Sequence, residues 1–127
     1  MGLNERRKIQ ELQERVLPGR VKEIEEISGK PIPYEVDWES FDTFEALNFL
    51  DNTSCHRVNM ALRVICQDDM GKQAVREGLK LIKLKNVKDK AAMKLTFEAG
   101  VLEMHNVHAE HIYPSDNQIR ELLLKNL

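Results

Sequence analysis

The chain has 127 residues, of which 42% are hydrophobic and 31% charged, with a formal net charge of -2. That length and mixture predict a single soluble domain with one core, burying roughly two-thirds of the surface its unfolded chain exposes. No apolar run approaches the ~18 residues needed to span a bilayer, and the charged stretch Asn4-Glu5-Arg6-Arg7-Lys8 is unlike an export signal, so the expected location is cytoplasmic, with no membrane contact.

Ile9, Leu12, Val16, Val21, Ile24 and Ile27 recur at helical spacing, so residues 1–29 read as helix, with Gly29 as its stop. Pro18-Gly19 falls inside this pattern without changing its phase, which predicts one kinked helix or two nearly collinear ones. From Ile32 to Trp38 apolar and polar residues alternate, the period of a strand with one buried face, and Pro33 suits its start or a sheet edge. Asp42-Thr43-Phe44-Glu45 has the form of a capping box for a short helix. Asp51-Asn52-Thr53-Ser54 is expected to end that helix and cap the next.

Residues 54–67 predict a central helix that is apolar on two sides. Cys55, Val58, Ala61, Leu62, Ile65 and Cys66 form a broad face, and Met60 with Val64 lie nearly opposite, so both sides are expected to be covered. Between them His56, Asn59, Arg63 and Gln67 form one polar row at spacings of three and four. The two cysteines would stand about 16 Å apart along the axis, too far for a disulfide, and read as small core side chains of a reducing compartment. A first-turn position for Cys55 would favour its thiolate.

After a break at residues 67–71, helix resumes from Lys72 to Glu77 and closes at Gly78. Leu81, Ile82, Leu84 and Val87 among lysines mark a strand over about 80–87. Met93, Leu95 and Phe97 alternate with polar residues, and Ala99-Gly100 joins this run to residues 101–107 as a hairpin. Finally, residues 114–127 form a helix capped by Ser115, with Gln118 three residues on. The order of elements predicts an α+β fold, a four-stranded and mostly antiparallel sheet with the helices layered on it.

Charge is segregated along the chain. Residues 31–69 hold eight acids and two bases, whereas residues 70–96 hold eight bases and two acids. These blocks suit mutual neutralisation, self-association or an acidic partner. The basic block lacks interleaved aromatics and has a single arginine, which argues against nucleic acid.

Two constellations could carry chemistry. The row His56, Asn59, Arg63 and Gln67 could hold a small carboxylate or phosphate ligand through the planar guanidinium, if it lines a groove. His105, His108 and His111 could approach one metal ion, zinc or another divalent cation, if the chain turned after the last strand. No phosphate-binding glycine loop and no nucleophile elbow is present. The reading these residues favour is a non-enzymatic module that binds a protein partner or itself, with no cofactor. The alternatives are an anionic-ligand or catalytic domain built on His56 and Arg63, and a metal-binding protein.

Overall fold

A computed structural model describes residues 2–127. Helix α1 (Leu3–Glu11) runs through a π-helical turn, Leu12–Val16, into α2 (Leu17–Ser28) without leaving helical geometry. Pro18 explains the turn. Its ring excludes the carbonyl four residues back, and widening the preceding turn by one residue moves that carbonyl aside. Gly29, at φ 92°, closes α2 in the left-handed conformation.

Strand β1 (Tyr34–Val36) follows, shorter than the alternating pattern suggests, then a single 3-10 turn, Trp38–Ser40. Helix α3 (Phe44–Leu50) is capped by Thr43, whose side chain accepts from the Ala46 amide at 3.2 Å, one residue beyond the predicted Asp42. The predicted break at residues 51–54 does not occur. A second π-helical turn, Asp51–Cys55, joins α3 to α4 (His56–Ile65), giving a continuous helical run from 44 to 65. Cys55 is therefore inside a helix, where burial pushes its thiol well up, and first-turn activation does not apply. Burial likewise raises the Cys66 thiol.

Asp68 caps α5 (Asp69–Gly78), its carboxylate accepting from the Gly71 amide at 2.7 Å. Strand β2 (Leu81–Asn86), β3 (Lys94–Glu98) and β4 (Val101–Asn106) follow, and α6 (Asp116–Asn126) ends the fold. Both halves of the predicted capping box are made, Ser115 Oγ accepting from the Gln118 amide and the Gln118 side chain accepting from the Ser115 amide.

The sheet order is β1-β2-β4-β3. Strands β1 and β2 are parallel, β2 and β4 are parallel, and only the β3–β4 hairpin is antiparallel. The sheet is therefore mixed and mostly parallel, not mostly antiparallel as predicted. Alternation of polar and apolar residues is the usual mark of an antiparallel sheet with one wet face. Here the same alternation serves parallel neighbours, because the helices between β1 and β2 form a crossover and β4 inserts between β2 and β3. Ile82, Leu84, Leu102 and Met104 enter one buried apolar cluster with residues of α2, α3, α4, α5 and α6. Lys83, Lys85, Glu103 and His105 occupy the other, open face of the sheet.

The central helix departs from expectation on one side. Met60 and Val64 are 39% and 40% exposed, so the minor apolar face of α4 is left uncovered. The face formed by Cys55, Val58, Ala61, Leu62 and Ile65 is enough to seat the helix in the core. No helix among the described residues is long and apolar enough to cross a membrane.

Candidate functional site

The polar row of α4 turns partly inward. Asn59 is 1% exposed, and its one side-chain amide makes three hydrogen bonds to α2 and β1: its oxygen accepts from Tyr34 Oη at 2.6 Å, and its nitrogen donates to Glu23 Oε1 at 2.6 Å and to the Arg20 carbonyl at 3.2 Å. Arg63 pairs with the other Glu23 oxygen at 3.1 Å. Arg20 spans Glu23 and, through two parallel bonds of 2.7 and 2.9 Å, Asp51 in the second π-helical turn. Burial works to raise the Glu23 carboxyl, but the bonds from Asn59 and Arg20 outweigh it and hold it below the usual range. Desolvation pushes the Tyr34 hydroxyl well up, so it is a donor to Asn59. His56 and Gln67 make no side-chain hydrogen bond among the described residues. The structure thus brings Asn59 and Arg63 together on Glu23 and leaves the ends of the row outside. Asn59 joins helix to helix and helix to sheet.

The three histidines do not meet. His105 lies on the open face of β4, its Nε2 2.6 Å from Glu103 Oε2, with Lys94 3.6 Å from the same oxygen. His111, at φ 55°, sets Nδ1 2.6 Å from Thr53 Oγ1 and packs its ring against Phe49 and Tyr113. His108 is fully buried, with Nε2 2.6 Å from Ser54 Oγ, Nδ1 3.0 Å from Asn86 Oδ1, and its ring against Phe41. No group of three or more histidine, cysteine or acidic side chains converges among the described residues.

The surroundings of His108 fix its tautomer. An amide oxygen only accepts, so Nδ1 carries the proton and Nε2 accepts from the Ser54 hydroxyl. Asn106 Nδ2 donates to the same hydroxyl at 3.0 Å. Hydroxyl, imidazole and amide stand in the order of an activated nucleophile. Ser54 and His108 are nevertheless both 0% exposed. A nucleophile must touch its substrate, and this one is walled in, so the arrangement serves as a latch between the second π-helical turn and the end of the sheet. Its signal in the sequence is the alternation itself: counting by twos from Ile82 and Leu102 places Asn86 and Asn106 on the buried face, where an amide needs partners.

The concavity that sequence reasoning misses lies at the other end of the sheet order. Strand β1 is an edge. The Ile82 amide donates to the Pro33 carbonyl at 3.0 Å and the Asp37 amide to the Leu84 carbonyl at 2.9 Å, so the odd-numbered residues turn their main chain toward β2. By the same alternation Tyr34 and Val36 turn theirs outward. They face a groove of about 520 Å³ whose far wall is Leu17, Pro18 and Val21 of α2 and whose end is Trp38. Lys22 and Glu25 stand on its helical rim. The position of β1 at the sheet edge creates this groove; Pro33 allows an edge position or a strand start, but nothing local in residues 32–38 encodes the helix wall opposite.

Fold and groove together define a two-layer α+β protein with an open, apolar-walled sheet edge. Comparison of the chain with known protein families, with curated proteins and with solved structures finds no match.

Proposed function

We propose that this chain is a non-catalytic binding module that takes an extended segment of a protein partner onto the free edge of β1. The observation that supports this reading is the outward main chain of Tyr34 and Val36, which opens directly onto the apolar groove against α2. Unpaired strand edges are templates for another chain, and proteins usually blunt or cover them. An added strand satisfies the outward N–H and C=O groups, while every second side chain enters the groove over Val21 and Trp38. A small anion finds less here: the guanidinium of Arg63 is already engaged by Glu23, and the histidines lie apart.

Selection from a random-peptide display library tests the reading. Enriched peptides should slow hydrogen exchange at the amides of Tyr34 and Val36, and should bind at least about tenfold more weakly to Val21→Glu, which places a carboxylate in the groove. Val21 is only partly buried, so this variant should keep its thermal midpoint within a few degrees. Peptides that bind Val21→Glu equally well, or a library from which nothing enriches, would overturn the proposal.

A further inference from the structure

We infer that the segment received by β1 is one in which lysine or arginine alternates with apolar residues, and that a second copy of β1 is disfavoured as its occupant. This rests on the reading of the groove given above and adds the chemistry of the partner.

The side chains of β1 divide between the two faces of the sheet. Tyr34 and Val36 lie on the core side, opposite Ile82 and Leu84, and Glu35 lies on the open side, opposite Lys83. Asp37 continues the open side beside Glu35, and both acids are exposed. The inner neighbour shows what this pattern accepts. Strand β2 reads Leu81-Ile82-Lys83-Leu84-Lys85, and Lys83 Nζ stands 3.4 Å from Glu35 Oε2. An outer strand meets the same β1 residues from the opposite edge. Its apolar side chains fall beside Tyr34 and Val36, over the groove, and its intervening side chains fall beside Glu35 and Asp37. Cross-strand opposite charges stabilise a pair and like charges destabilise it. The helical rim carries one base and one acid, Lys22 and Glu25, so the preference is set on the sheet side.

The same geometry argues against self-pairing. In an antiparallel pair related by a two-fold axis, the outward groups of Tyr34 bond those of Val36 in the second copy, which sets Glu35 directly opposite Glu35 of that copy. Two carboxylates then share one cross-strand position, with a single lysine available to each.

Three labelled synthetic peptides of equal length test this on the whole chain by fluorescence anisotropy: alternating valine and lysine, valine and glutamate, and valine and serine. The lysine peptide should bind at least about fivefold tighter than the glutamate peptide, the gap should shrink with salt, and Glu35→Lys should narrow or reverse it. Equal or tighter binding of the serine or glutamate peptide, with Tyr34 and Val36 still protected from exchange, overturns the cation preference and leaves the groove reading standing. Lysine-peptide binding unaffected by Val21→Glu is charge attraction elsewhere on the surface and overturns the inference as well. Failure of all three peptides to protect those amides sinks the groove reading itself. A dimer whose Tyr34 and Val36 amides are protected overturns the claim about the second copy.

Discussion

Burial holds the His108 imidazole down to about 4. In the unfolded chain a histidine titrates near 6.5, so between those values the unfolded state binds a proton that the native state refuses. Stability from this residue is therefore complete above about pH 6.5 and is lost as pH falls through 4, by about 3 kcal/mol over the whole window. Urea unfolding followed from neutral to acid pH should show that decline, and the His108 ring resonances should stay neutral down to about pH 5. A His108 titration near 6.5 would mean that the ring is hydrated and the latch with Ser54 and Asn86 is open. Ala99 offers the opposite kind of test. It opens the β3–β4 turn at φ 52°, followed by Gly100 at φ 81°, a pair of left-handed residues that a tight hairpin requires. Asparagine tolerates that conformation better than alanine, so Ala99→Asn should add about 0.5–1 kcal/mol in the same unfolding measurement. An unchanged or lowered midpoint would contradict the turn geometry.

Element by element, what the sequence made legible was local. The Ser115–Gln118 capping box, the stop at Gly29, the hairpin around Ala99-Gly100 and the alternation of β3 each depend on residues within a few positions of one another. The rest depends on distant partners. Asp51-Asn52-Thr53-Ser54 looks like a helix break because its residue types cap helices. In the fold His111 and His108, more than fifty residues away, take up the hydroxyls of Thr53 and Ser54, and the helix continues through a π-helical turn. Asn59 was visible as part of a polar row, but the row's inward turn depends on Glu23 and Tyr34, which lie on other elements. The insertion of β4 between β2 and β3 has no local signal at all, and the edge position of β1 has only Pro33, which suits a strand start equally well. Helix α5 shows a constraint of a third kind, close approach. A Cβ on Gly71 would collide with the backbone carbonyl of Ile65, which cannot swing aside as a side chain can. Gly71→Ala should therefore cost several kcal/mol despite alanine's better helix propensity, on the order of other overpacked sites. A gain in stability from that substitution would show that the junction between α4 and α5 is looser than described.

Across the whole molecule the two charge blocks meet inside one chain. Glu35 with Lys83 and Asp42 with Lys88 join the acidic segment to the basic one, at 3.4 and 2.6 Å. With each block partly neutralised by the other, little remains to drive charge-led association of copies. Sizing chromatography should give the same elution volume at low and high salt, and a shift to smaller apparent size as salt rises would reveal an oligomer held by charge. The brevity of β1 sets a further property. Three residues offer a visitor only the N–H and C=O of Tyr34 and of Val36. So few rungs give slow release nothing to build on, and dissociation rate is where most differences in affinity arise. On the proposed reading, such a short landing strip suits brief visits and rapid exchange of callers, with lasting attachment reserved for a visitor that also grips somewhere else.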